Sequence, residues 1–222
     1  MTMSVSEAVA TRRSIRDFLD TPVDLETLRR VLDQARFAPS GCNYQPWEAT
    51  IATGEPLRQL QEQMRAAKPQ DPQEYDWAAP GASPIYKARL DGVSEGMYGA
   101  MGIARDDKAA RKDFFVRNVV SFGAPAVLLC YFPRFMGPPQ WSDVGMWLQT
   151  IMLLLREEGL DSCPQEYLWA HARLIKKFLG VDDETHIFFC GLAIGYRNPD
   201  APVNTFERAR VPLDEQVRFM GF

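Results

Sequence analysis

The chain has 222 residues, 46% of them hydrophobic and 24% charged, with a formal net charge of −4. That balance fits a globular protein with a sizeable core and excludes global disorder. Its acidic sign argues against a nucleic-acid binder, which needs a basic face to neutralise phosphates.

Four cysteines, Cys42, Cys130, Cys163 and Cys190, form no CxxC pair, and His171 and His186 are the only histidines. No metal site is therefore expected, and free thiols point to a reducing, cytoplasmic setting. Met1–Val9 lacks a basic stretch followed by an apolar one, so no secretory signal is read there. The apolar runs near 124–132 and 144–155 are too short for a membrane span of about 20 residues.

In chain order, residues 5–12 read as a short helix. Asp24 is a plausible N-cap for a helix running to about Phe37, because Leu25, Leu28, Val31, Leu32 and Ala35 then share one face and Pro39 stops it. Pro39-Ser40-Gly41-Cys42-Asn43-Tyr44-Gln45-Pro46 is full of turn formers. Trp47–Thr53 reads as a strand and 55–67 as an exposed helix. Residues 68–84 are proline-rich and poor in aliphatics, a long irregular loop of the kind that is often functional.

Helices are expected at about 85–104 and 106–121, then a strand over Ala126–Phe132. Ser142 and Asp143 are expected to open a helix that is apolar nearly all round from Val144 to Leu155. Such a helix must be buried on every side, and a subunit interface is one way to achieve it. Gly159 supplies its stop. A short strand at 161–165, an amphipathic helix at 167–179 and a central strand over Ile187–Tyr196 follow. The proline-punctuated end either dangles or wraps a partner. The mixture predicts an α+β domain with a central sheet.

Four segments carry possible chemistry. Arg12, Arg13 and Arg16 place three guanidiniums within five residues, beside the Ser14 hydroxyl. Guanidinium forks match phosphate oxygens bidentately, although such a cluster alone is more often a solvated surface patch. Arg208 and Arg210 could enclose the same phosphate if the chain ends meet. The small residues of the Pro39–Pro46 turn allow a flat ligand to approach the main chain. Ser162-Cys163-Pro164-Gln165-Glu166 ends a strand before a helix, where free N–H groups bind acceptors. Cys163 has no evident histidine partner and is not read as a nucleophile. No GxGxxG or Walker pattern occurs.

Together, Arg12-Arg13-Ser14-Ile15-Arg16-Asp17-Phe18, Ala38-Pro39-Ser40-Gly41-Cys42-Asn43-Tyr44-Gln45-Pro46-Trp47, Gly159–Glu166 and Arg208-Ala209-Arg210 resemble the nitroreductase family of flavoproteins. The resemblance implies a nitroreductase-like α+β fold, with a central, mainly antiparallel sheet flanked by helices, in an intertwined homodimer. Residues 1–222 would form one FMN-binding domain, with 198–222 wrapping the partner subunit. Arg12, Arg13, Ser14, Arg208 and Arg210 would grip the FMN phosphate and ribityl chain. Arg16 would approach the N1/C2-oxygen edge of the flavin. Pro39, Ser40, Gly41 and Asn43 would line the ring, from the partner subunit, and Pro164, Gln165 and Glu166 would pass its N5 side. NAD(P)H would be the transient co-substrate of a ping-pong cycle ending on small aromatic acceptors, nitro compounds or quinones. The flavin itself performs hydride transfer, so no catalytic side chain is named. Tyr75, Trp77, Tyr86 and Trp141 are candidates to wall the acceptor pocket. Flavin destruction, dehalogenation, enone reduction or flavin binding without turnover are the alternatives.

Overall fold

The computed structural model describes residues 3–222, so Met1 and Thr2 of the N-terminal expectation lie outside the described residues. Four strands form one antiparallel sheet in the order β1-β2-β4-β3: β1 Glu48–Thr53, β2 Ala126–Pro133, β3 Asp161–Gln165 and β4 His186–Gly195. Strand β2 is a continuous apolar run because it is covered on both faces. Ala126, Leu128, Cys130 and Phe132 pack with α2 (Leu25–Ala35) and α6 (Pro138–Glu157). Val127 and Leu129 pack on the other face with α3 (Gly54–Ala66) and α7 (Ala172–Leu179). A third cluster closes one end of the sheet, where Ile15 and Phe18 meet Phe114, Phe122, Cys163 and Val203.

Local signals account for most boundaries. Helix α1 covers Val5–Thr11, with Ser4 and Glu7 in a reciprocal capping box. Asp24 caps α2 by accepting the Thr27 N–H at 2.8 Å. The carboxyl end of α6 stops at Gly159, whose φ of 75° suits glycine.

The amino end of α6 differs from expectation. It begins at Pro138, not at Ser142 and Asp143. Proline is compatible with a first helical turn, where its missing N–H has no partner to lose, and the Gln140 Oε1 accepts the Gly137 N–H at 3.2 Å. Asp143 therefore lies inside the helix and is buried. Nor is α6 covered all round by its own chain: Gly145 and Met146 are exposed.

Two other helices are shorter than expected. Helix α4 covers Pro84–Ala100, and α5 covers Lys108–Val116 before giving way to 3-10 turns over Arg117–Gly123. Ser121 and Phe122 are left-handed near the end of that stretch, so no helix continues past it. The helix expected over 167–179 is α only from Ala172; a 3-10 segment Glu166–His171 precedes it. Beyond Tyr196 the chain has no α-helix or strand, and 212–222 is exposed throughout.

Candidate functional site

The arginine segment is laid along the open edge of β3. Ser14 bridges Ser162 in parallel, and the Ile15 N–H donates to the Ser162 carbonyl at 3.0 Å. Ile15 is fully buried, so in extended chain Ser14 and Arg16 face the opposite side. Close approach to the sheet requires glycine at 195, where a Cβ would lie 2.7 Å from Pro125 and 3.1 Å from Phe18. Asn204, also buried, fixes the next step. Its Oδ1 accepts the Arg16 N–H at 2.9 Å, and its Nδ2 donates to the Asp17 carbonyl at 2.8 Å.

The two chain ends meet here. Arg208 donates to the carbonyls of Arg12 and, at 2.6 Å, of Ala10. Arg13 donates to the Phe206 carbonyl and sits 5.5 Å over the Phe206 ring. Burial lowers the basicity of Arg12, and the nearby charges of Arg208 and Arg210 lower it further. Arg13 is lowered by burial and then by Arg208, Arg197 and Arg16, against the opposing pull of Asp161. Among the described residues, no carboxylate pairs with Arg12, Arg13, Arg16, Arg208 or Arg210. Their neighbours Arg156 and Arg197 do have one, Asp161, at 3.0 and 2.6 Å. Mutually repelling guanidiniums without a paired carboxylate create a local positive field that attracts anions.

At the exit of β3, Pro164 and Glu166 are exposed whereas Gln165 is buried. The Gln165 side chain turns inward, its Nε2 donating to the Asn118 carbonyl at 2.9 Å. The surface here is thus offered by Pro164, Glu166 and main chain. Burial pushes the Cys163 thiol up to about 11, with Arg16, Ser14 and Arg12 pulling the other way. A thiol so protonated is a poor nucleophile. Burial also lowers the His171 pKa.

The Pro39–Gln45 loop is held by α6. Gly41–Asn43 forms one 3-10 turn, and Cys42, Asn43 and Gln45 all have positive φ, at 51, 59 and 47°. Three left-handed non-glycine residues in so short a stretch are costly. The Ser40 Oγ accepts the Gln45 N–H at 3.0 Å, and the Asp143 carboxylate accepts the Gly41 N–H at 3.1 Å. The loop's hydrogen bonds thus run within itself and to α6, none of them to the arginine cluster.

Of the four aromatic candidates, Tyr75 and Trp141 pack edge-on at 5.2 Å beside Phe189, and the Tyr75 hydroxyl donates to the Phe189 carbonyl at 2.7 Å. They are part of the packing. Trp77 and Tyr86 remain exposed, at 53% and 63%. Among the described residues, no group of three or more His, Cys, Asp or Glu is placed to hold a metal, and no helix is long and apolar enough to cross a membrane.

The model of the nitroreductase family matches residues 9–196. The chain belongs to the nitroreductase family. Its curated relatives include a 4-nitrobenzoate reductase from Pseudomonas putida, 34% identical across 100% of this chain and 98% of that protein. Among solved structures, the FMN and NADPH-dependent nitroreductase NfnB from Sphigopyxis sp. strain HMH is 46% identical, covering 99% of this chain and 100% of that one, with a TM-score of 0.94. The FMN-dependent nitroreductase NfnB from Mycobacterium smegmatis, in complex with NADPH, is 27% identical over 97% of this chain and 98% of that one, with a TM-score of 0.89. The nitroreductase fold expected from the motifs is therefore the fold observed, with every strand pairing antiparallel.

Within this family member, the fold brings Arg12, Arg13, Ser14, Arg16, Arg208 and Arg210 together beside β3, which carries Pro164 and Gln165 and leads directly into Glu166. It sets the loop of Pro39, Ser40, Gly41 and Asn43 beside α6, bonded to it through Gly41. Three contributors had no sequence signal. Asn204, Asp161 and Asp143 act on segments distant in the chain, and nothing in their local spacing announces it.

Proposed function

We propose that this chain is an FMN-dependent oxidoreductase, active as a homodimer, that passes a hydride from NAD(P)H to a small nitroaromatic or quinone acceptor. One observation carries the proposal: guanidiniums from both chain ends converge without carboxylate partners on one edge of the sheet. That donor set fits a phosphate monoester dianion, and the likeness to the 4-nitrobenzoate reductase and to the FMN and NADPH-dependent enzymes supports the rest.

Arg12, Arg13, Ser14, Arg208 and Arg210 would hold the FMN phosphate and ribityl chain, and Arg16 would hold positive charge against the N1/C2-oxygen edge. A bound flavin supplies the redox chemistry, accepting a hydride at its ring and passing it on. Pro164, Gln165 and Glu166 would orient the N5 side through main-chain groups, since the Gln165 amide is committed to Asn118. Pro39, Ser40, Gly41 and Asn43 would line the ring from the partner subunit, consistent with their attachment to α6, whose Gly145 and Met146 face is open. Residues 1–222 would act as one domain, with 198–222 wrapping the partner. Trp77 and Tyr86 would stack on the acceptor. Free buried thiols at Cys130, Cys163 and Cys190 fit a cytoplasmic setting.

The purified protein is expected to be yellow, with about one FMN per subunit. Anaerobic NADPH should bleach it, and 4-nitrobenzoate should restore the colour. A protein that stays colourless when incubated with FMN overturns the proposal.

A further inference from the structure

Helix α6 carries one acidic residue on its buried face. Asp143 is 4% exposed, among Val144, Trp147 and Leu148. It sits well inside the helix, so it caps nothing, and aspartate is a weak helix former. Burying a carboxylate among apolar side chains is costly unless a specific donor compensates. Its donor is the Gly41 N–H, 3.1 Å from Oδ2.

From the loop's side, that contact has no substitute. Gly41, Cys42, Asn43, Tyr44 and Gln45 are all exposed. Their other hydrogen bonds stay inside the loop: Asn43 N–H to the Ser40 carbonyl, Tyr44 N–H to the Gly41 carbonyl, Gln45 N–H to the Ser40 Oγ. Three left-handed side-chain-bearing residues would relax to other conformations if the surroundings did not hold them. Among the described residues, the one hydrogen bond between this strained loop and the rest of the fold ends on Asp143.

We infer that Asp143 is a positioning residue: through the Gly41 N–H it fixes the Pro39–Gln45 loop in the conformation that faces the flavin ring. This rests on the proposed role of that loop in flavin binding. Asp143 touches neither cofactor nor acceptor. It acts by setting where the loop main chain stands, and an error of about 1 Å at such a site can cost on the order of 100-fold in rate.

The test compares Asp143→Ala and Asp143→Asn with the unaltered holoenzyme. Asp143→Ala is expected to weaken FMN binding and to lower kcat/KM for 4-nitrobenzoate by roughly 10- to 100-fold. The visible absorption and circular dichroism bands of the flavin that still binds should shift. Asp143→Asn retains an acceptor oxygen and should recover most of each effect. Gly41→Pro removes the same N–H from the loop side. The Ser40 backbone before it is already extended, at φ −146° and ψ 149°, as a residue before proline must be, while the proline ring carbon stands where the N–H hydrogen was and pushes the loop off the Asp143 carboxylate. Gly41→Pro should reproduce the Asp143→Ala bands even if that variant folds poorly. A purely structural aspartate would lower the melting temperature of the apo-protein and leave the bound-flavin bands and FMN affinity unchanged. That result in either variant overturns the inference. An unaltered protein that takes up no FMN overturns the proposed function, and the inference with it.

Discussion

The Arg208 guanidinium is tied to the other chain end through the Ala10 and Arg12 carbonyls, whereas Arg12 offers only its carbonyl there, so the loss of each has a distinct signature. Arg12→Ala removes a half-buried guanidinium but leaves the Arg12 carbonyl to receive Arg208. A hydrogen bond to a charged group contributes about 1.5–3 kcal/mol, so FMN binding should weaken roughly 10- to 150-fold. Fluorescence titration measures this, and riboflavin, which lacks the phosphate, should bind the variant as it binds the parent. Equal weakening for both ligands would remove Arg12 from the phosphate. Arg16 has a different task. It is half-buried, with its Nη1 on the Ser14 carbonyl at 3.3 Å. Arg16→Ala should retain FMN but lower its reduction potential, because negative charge on the reduced ring loses a counter-charge; an unchanged potential places Arg16 elsewhere. The cluster itself was legible because Arg12, Arg13, Ser14 and Arg16 are adjacent in sequence. Asn204, which holds the Arg16 N–H from 188 positions away, was not legible, since only the folded chain tells it which main chain to serve.

At the scale of elements, the hydrophobic pattern found the strands and main helices where burial is one-sided or complete, as in β2 and α2. It failed where local chemistry points both ways. Ser142 and Asp143 read as the helix start, but Pro138 and Pro139 sit at the tolerated first turn of α6, and the left-handed Ser121 and Phe122 interrupt an apparently continuous helical pattern. The irregular 68–84 segment was visible as irregular, but its anchor was not. Lys176 is fully buried on α7, 2.6 Å from Glu74 and 2.6 Å from Asp183. Glu74 also accepts from Arg134 at 3.1 Å and from the Phe188 N–H at 3.2 Å. Breaking a buried pair leaves an uncompensated charge, so Glu74→Leu should cost about 3 kcal/mol, the low end for such pairs because Asp183 still faces Lys176. Urea unfolding measures it, and adding Lys176→Met should recover most of the loss. Asp183 also predicts a pH dependence. Its pKa is lowered, first by its contact with Lys176, so its stabilisation is complete above the ordinary carboxylate value of about 3.9 and is lost as pH falls through the depressed folded value. The difference in melting temperature between the parent and Asp183→Asn should therefore shrink as pH is lowered from 6 toward 3.

At the scale of the whole molecule, the chain is a sheet covered by helices on both faces, with its last segment left over. Residues 206–210 are tied to the arginine edge, yet Leu213, Val217, Phe219, Met220 and Phe222 remain 43–106% exposed. An apolar tail of this kind has no reason to remain in water. The open Gly145 and Met146 face of α6 and the exposed Ile85, Tyr86, Leu90 and Val93 of α4 are similarly uncovered. Permanent dimers bury interfaces that resemble a divided core, and a wrapped C-terminal tail would cover both kinds of surface together. Truncation after Arg210 separates assembly from phosphate binding, because it removes the five apolar side chains and spares Arg208 and Arg210. The truncated chain should shift toward monomer on dilution, measured by light scattering. It should also lose FMN in parallel, because the Pro39–Asn43 loop proposed to line each ring would leave with the partner. A truncated chain that stays dimeric on dilution, with unaltered FMN affinity, would show that the tail does not hold the subunits together.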